Sequence, residues 1–214
     1  MSEKKQTVWY ISDEKAFAER LNKNPMAFVG EDNYGARTLE QLSLLIRSGL
    51  SEKSKVCDVG CGNLNLGRVL IPYLDKGNYC GIEPMGWLIK DGFDRFFGGE
   101  QILNAKSPKF SDTIDYNLEI FGMKFDFIVA MSVFSHAPLR DIKKCFESAK
   151  NVLTDNGLFF FTFVNLNEDE EYYSDEWIYP GIYNYHDATI LNLAKEAGVD
   201  FGMVNLFSND QQWA

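Results

Sequence analysis

The 214 residues are enough to bury the core of one α/β domain, and 45% hydrophobic against 24% charged residues is an ordinary globular balance. A net charge of −10, from 31 acidic and 21 basic residues without a basic stripe, argues against nucleic acid as a partner. No apolar run approaches the ~20 residues that span a bilayer, and Met1-Ser-Glu-Lys-Lys5 lacks the start of a signal peptide; no membrane partner and a cytoplasmic location are expected.

Residues 1–54 read as a helical cover. In it Thr38-Leu-Glu-Gln41 has capping-box spacing, with Leu39, Leu42, Leu45 and Ile46 on one face and Gly49 as the stop. From Lys55 the pattern changes to alternating strands and helices. Val56-Cys-Asp-Val-Gly60 is a short buried strand ending in a tight turn, and Leu64–Leu74 is a helix that Pro72 kinks or shortens. Asn78–Glu83 is a second strand, followed by a helix from Gly86 that Gly98-Gly99 breaks in two. Lys109–Thr113 is a weak third strand and Phe125–Met131 a strong fourth. Pro138 opens a helix whose face is Ile142, Cys145, Phe146, Ala149, Val152 and Leu153. Asp155-Asn-Gly157 turns into Leu158–Val164, apolar throughout and so expected to be central. Asp187 caps a last helix that stops at Gly198 before a strand over Val199–Leu206.

This alternation predicts an α/β fold, one domain with a mostly parallel central sheet and helices on both faces. Residues 55–165 form its core, 166–186 an insertion and 187–214 a closing helix and strand. Cys57, Cys61, Cys80 and Cys145 read as small hydrophobes, and no metal is expected, because no second Cys/His pair follows at ligand spacing.

In such a sheet a ligand lies outside the carboxyl ends of the strands, beside the first one. That strand ends Asp58-Val-Gly60-Cys61-Gly62, where missing side chains let backbone approach a ligand. Asn65 stands where a dinucleotide fingerprint needs its third glycine, and Asp58 would oppose a pyrophosphate but suit a cationic amino group. A nicotinamide oxidoreductase is therefore disfavoured. Glu83 closes the second strand, where a carboxylate can accept both hydroxyls of a ribose. Adenosine with a cationic amino-acid tail is S-adenosylmethionine, whose product is S-adenosylhomocysteine.

Asp58-x-Gly60-x-Gly62 followed by Glu83, then Phe125–His136 and Leu153–Phe159, resembles the ordered motifs of class I, Rossmann-like S-adenosylmethionine-dependent methyltransferases, in the variant with Val133-Phe-Ser-His136 after strand four. The resemblance spans 55–206. It implies that the glycine turn, Cys61 included, wraps the methionine moiety, that Glu83 binds the ribose, and that Pro84 and Met85 flank the adenine. It also puts Asp115 at the adenine amine and Met131 on the cofactor wall. Two departures stand out: Leu64 replaces the usual third glycine, and only Gln211–Ala214 is left for an antiparallel seventh strand, expected to be short or missing.

On the acceptor side His136 is the candidate general base, the competing reading being a helix cap or a bond to a backbone carbonyl. Tyr34 is the second catalytic candidate. Arg37 could pair with the cofactor's carboxylate, an anionic acceptor or a surface acid. Residues 166–186 hold six carboxylates, five tyrosines and one tryptophan. They read either as a solvated loop or as a lid, with Trp177, Tyr179 and Tyr183 against the acceptor. The expected activity is methylation of a small polar metabolite, on oxygen of a sugar or related compound. N-methylation of a cationic amine and a nonenzymatic cofactor-binding subunit are the alternatives. A small-molecule acceptor is the expected partner, with monomer and homodimer both open.

Overall fold

The computed structural model describes residues 34–99, 101–165, 174–179, 181–200, 202–204 and 212–213, the side chains of Tyr34, Gln212 and Trp213 excepted. None of its described helices is long and apolar enough to cross a membrane.

Helix α1 (Tyr34–Arg47) begins a turn earlier than the Thr38 motif predicts, so Thr38 is an interior residue and not a cap. Its apolar face is also rotated. Leu39 and Ile46 are 67% and 54% exposed, whereas Thr38, Gln41, Leu44 and Leu45 are buried. The first half of the inward face is polar because it borders the cleft described below; only the second half meets hydrophobic core. The helix stops as expected: Gly49, at φ +96°, lets its own N–H reach Ile46 O and the Leu50 N–H reach Leu45 O.

Strand β1 (Val56–Val59) leads through a turn to α2 (Gly67–Tyr73), then β2 (Tyr79–Ile82), α3 (Gly86–Phe97), α4 (Gln101–Lys106) and β3 (Lys109–Ser111). Helix α2 starts three residues later than the pattern suggests, because buried Leu64 sits at φ +66°, outside helical geometry. Pro72 occupies its last turn, and Leu74 is already extended. A 3₁₀ turn over Leu118–Phe121 precedes β4 (Phe125–Ala130). Helix α5 (Leu139–Val152) follows, with Pro138 at its N-cap and Ile142, Cys145, Phe146, Ala149 and Val152 inward.

Strand β5 (Leu153–Asn165) begins directly at the end of α5. Leu153 pairs Phe125 and Leu158 pairs Phe127, so the expected Asp155-Asn-Gly157 turn is an irregularity within the strand. A two-residue strand that the pattern did not reveal, β6 (Asn184–Tyr185), precedes α6 (Asp187–Ala197), whose N-cap is His186 and C-cap Gly198. The strand expected over Val199–Leu206 is not formed in its described part, where only Val204 makes a bridge; Leu206 lies outside the described residues. The short β7 (Gln212–Trp213) pairs antiparallel with Thr162 and Phe163 of β5.

The sheet order is β3-β2-β1-β4-β5-β6, all six parallel, with β7 antiparallel on β5. Strand β5 is thus next to the edge rather than central. Alternating side chains send Cys57, Val59, Cys80, Ile82 and Ile128 to a core under α5 and α6, and Val56, Tyr79, Phe127 and Val129 to one under α1, α2 and α3. The chain leaves β1 toward β2 and β3, then returns to β4 on its other side. That reversal opens a crevice at the carboxyl ends of β1 and β4.

Candidate functional site

The turn after β1 is tied to β2. The N–H groups of Gly60 and Cys61 both donate to Ile82 O, at 2.8 and 3.0 Å. Gly60 takes φ +68°, and a Cβ there would lie 2.6 Å from Cγ2 of Val133. Its lack of a side chain therefore serves the packing of the β4 exit loop on the turn, where the sequence suggested contact with a ligand. Leu64 answers the missing third glycine: it adopts the left-handed backbone a glycine would take, at φ +66°, and is held there by complete burial of its side chain.

Two buried acids flank this turn. Glu83 is anchored through both oxygens, accepting Gly62 N–H on Oε2 at 3.0 Å and Met85 N–H on Oε1 at 2.9 Å. Each oxygen keeps a lone pair for another donor. Asp58 accepts the Tyr79 hydroxyl on Oδ2 at 2.8 Å. Burial pushes both carboxyls up to about 7, against the counter-pull of those hydrogen bonds, and the nearby Asp58 adds to the rise at Glu83. Such a pair fits a ligand that brings two hydroxyls and positive charge, which is the chemistry of an adenosyl sulfonium with an amino-acid tail.

The sign of the pH effect follows. The folded chain holds these protons more tightly than the unfolded chain, so each carboxyl's contribution is full at low pH and is lost as pH rises through about 7. The ligand-free protein should lose stability between about pH 4 and pH 7, on the order of 3 kcal/mol per group, and level off above that. Asp58→Asn should flatten that loss in thermal melts; an unchanged slope would mean Asp58 is ionised in the fold.

The cleft is lined at its base by Asp58, Gly60, Cys61, Gly62 and Glu83, and beyond them by Pro84, Met85 and Met131. Arg37 lines it from α1. These positions border one cleft. Asp115 does not join them: it is exposed, is bonded to the Thr113 hydroxyl and accepts Asn117 N–H, closing a local turn. Thr113 and Tyr116 line that wall in its place. Tyr34 opens α1, and its side chain lies outside what the structure describes. Gln41, Asn63, Asn65, Ser132 and Val133 also line the cleft, and the sequence assigns none of them to the site.

His136 lines the same cleft, on the turn after β4. Its Nδ1 lies 2.7 Å from Gly181 O. A carbonyl only accepts, so Nδ1 carries the proton and Nε2 is left as the acceptor. Burial lowers the pKa of the ring from its ordinary value and the Gly181 bond opposes that, favouring the neutral imidazole. The segment supplying Gly181 is hooked along this turn: Ile178 N–H donates to His136 O at 3.3 Å, Tyr183 N–H to Ser135 O at 2.8 Å and the Tyr185 hydroxyl to Ala137 O at 2.8 Å. Tyr179 packs edge-on to the His136 ring at 4.8 Å, and with Trp177 it faces the cleft. Tyr183 does not. It is 1% exposed, stacked on Tyr185 at 5.6 Å with its hydroxyl on Glu176 O, and so anchors the segment from the core side. Residues 166–173 lie outside the described residues.

Cys57, Cys61, Cys80 and Cys145 are buried free thiols. Among the described residues no cluster of three metal-ligating side chains occurs.

Residues 57–159 match the family model of a methyltransferase domain. The chain is similar in fold to an S-adenosylmethionine-dependent methyltransferase from Clostridium acetobutylicum, with 16% identity and a TM-score of 0.64 over 92% of this chain and 96% of that one. The magnesium protoporphyrin IX methyltransferase of Synechocystis, solved with bound S-adenosylhomocysteine, is 13% identical, with a TM-score of 0.64 over 94% and 93% of the two chains. A glycopeptide N-methyltransferase is 11% identical, with a TM-score of 0.62 over 82% and 88%. No curated protein matches the chain in sequence.

Proposed function

We propose that the chain is an S-adenosylmethionine-dependent methyltransferase that acts on a hydroxyl of a small polar metabolite, a sugar or a compound like it, with His136 as general base. The observation that carries the reading is the His136 ring in the cleft wall, its Nδ1–H committed to Gly181 O and its Nε2 left to accept a proton. A hydroxyl must lose its proton as it attacks, whereas a neutral amine need not, so a positioned acceptor nitrogen suits oxygen chemistry. The alternative, a cationic amine, rested on the acidic character of residues 166–186. Of those acids Asp175 and Glu176 are described, and neither lines the cleft; Trp177 and Tyr179 do. An aromatic wall suits the apolar face of a sugar.

The cofactor would supply an already activated methyl group on a sulfonium. The chain's own residues do the rest. Glu83 is placed to take a ribose diol, and Asp58 puts negative charge beside the glycine turn. Pro84, Met85 and Met131 give an apolar wall. Trp177 and Tyr179 cover the acceptor side and keep water out, so that proximity and alignment carry much of the rate.

The test is calorimetry with S-adenosylhomocysteine followed by a screen of sugars and amines with methyl-labelled cofactor. Label transferred to a hydroxyl compound supports the reading; transfer to amines alone replaces it with the N-methyl alternative, and no cofactor binding removes both. Trp177→Ala should raise the acceptor's KM about tenfold, a share of the ~1.5–3 kcal/mol that burying a large apolar side chain contributes, with a smaller change in kcat. An unchanged KM in steady-state assays would take Trp177 off the acceptor surface.

A further inference from the structure

Two residues past the end of β4, Ser132 lines the cleft with its backbone in the left-handed region, at φ +54°. A residue with a Cβ is strained there, and such strain persists only where the surroundings impose it. What imposes it is a hydroxyl on the neighbouring strand. Ser132 N–H donates to Thr162 Oγ1 at 2.9 Å, and Thr162 is fully buried in β5. Thr162 is the polar residue in an otherwise apolar run, Leu158–Val164, where a valine would fill the same space. Packing alone gives no reason for its hydroxyl; the bond to Ser132 does.

Side chains alternate along a strand, so Phe161 and Thr162 project from opposite faces of β5. Together they grip the turn that follows β4. Phe161 meets the Phe134 ring at a centroid distance of 5.2 Å, and Thr162 takes the N–H of Ser132. Beyond Ser132, Val133 sits against Gly60, and its carbonyl accepts His136 N–H at 3.0 Å. The backbone angle at Ser132 therefore sets where His136 lies. The same turn carries the Ser135, His136 and Ala137 carbonyls on which residues 178–185 are hooked.

We propose that Thr162 is a positioning residue whose hydroxyl holds Ser132 in its left-handed conformation and so delivers the His136 ring to the cleft wall. Thr162 is not among the residues lining the cleft and acts through Ser132. Valine keeps its volume and loses the acceptor; serine loses a methyl and keeps the acceptor. The two substitutions thus separate a bond that aims the turn from a side chain that merely fills the core. The consequence for turnover rests on His136 as the proposed base, whereas the placement of its ring does not.

The test reads the imidazole nitrogens of the full chain by NMR, with His186, the other histidine, as the internal reference. In the wild type His136 should show one tautomer, protonated on Nδ1, as its bond to Gly181 O requires. Thr162→Val should mix in the tautomer protonated on Nε2 and leave His186 unchanged, whereas Thr162→Ser should keep the wild-type pattern although it melts lower. Adding Thr162→Val to a Ser132→Gly chain should disturb His136 much less than adding it to the wild type, because glycine adopts the left-handed backbone unaided. Where an acceptor is turned over, Thr162→Val should lower kcat about tenfold with little change in KM. A tautomer mixture with unchanged kcat keeps the positioning and removes His136 as the base. An unchanged His136 pattern in a folded Thr162→Val protein overturns the proposal, as does a serine variant that disturbs the ring as much as the valine one. Should Thr162→Val fail to fold, the Ser132→Gly/Thr162→Val protein decides. A folded chain with a single His136 tautomer supports the hold on Ser132, and one that also fails to fold overturns it.

Discussion

Replacing His136 with alanine should lower kcat on the true acceptor by ~10²–10⁴-fold and leave affinity for S-adenosylhomocysteine nearly unchanged. The imidazole sits in the cleft wall with one nitrogen fastened to Gly181 O and the other left as an acceptor. The hydrogen bonds of Asp58 and Glu83 go to Tyr79, Gly62 and Met85 and not to His136. The loss should therefore appear in the chemical step and spare the cofactor. It should be larger for a hydroxyl, whose proton leaves late, than for an amine that is already neutral. His136→Gln separates a base from a spacer: the amide can hydrogen-bond but cannot take a proton, so it should be nearly as slow as the alanine variant. If either variant keeps near-full turnover, the Gly181 bond is the whole role of His136, which is to hold residues 178–185 on the turn, and proximity carries the chemistry. Tyr34 is then the next residue to test.

The sheet was legible because burial imposes periodicity. Val56–Val59, Tyr79–Ile82 and Phe125–Ala130 are apolar runs bounded by glycine or polar residues, and each lies within two residues of where the pattern puts it. Elements failed where a side chain or backbone answered to something other than the core. Thr38 looks like a cap, but a hydroxyl buried between Arg68 and Asn65 serves a polar network instead. Leu64 looks like the first residue of a helix, yet the turn needs a left-handed residue there, and the leucine accepts it in exchange for a fully buried side chain. Strand β6 has two residues, too few for any alternation to show.

The site divides in the same way. Asp58, Gly60, Gly62 and Glu83 lie at strand ends, where topology alone brings them together, and so spacing finds them. The resemblance puts Asp115 in the site, and the aromatic content of residues 166–186 puts Tyr183 there. Each was claimed by nearer partners: Asp115 by Thr113 and Asn117, Tyr183 by Tyr185 and Glu176 O. The orientation of Asn65 was not legible because it depends on Thr38 of α1, far away in sequence.

Glu83→Ala should weaken S-adenosylhomocysteine by about 1.5–3 kcal/mol, or roughly 10–150-fold, the cost of losing hydrogen bonds to a charged group. Two effects contribute. The side chain offers a ribose diol one lone pair on each oxygen, and it also holds the N–H groups of Gly62 and Met85. Removing it takes both acceptors from the ligand and loosens the turn and the start of α3. Glu83→Gln tells these apart. An amide keeps the size but can hold only one of the two N–H groups on its oxygen, so it should bind nearly as poorly as the alanine variant while melting closer to wild type. The carboxylate also sets the pH dependence. Burial holds it up to about 7 without ligand, and every donor a ribose adds favours the ionised form. Wild-type affinity should then strengthen between pH 6 and 8, with proton release visible as a binding enthalpy that varies with buffer ionisation heat. In both variants that share of the released proton should vanish. Unchanged affinity in a folded Glu83→Ala protein would move the ribose site away from the end of β2.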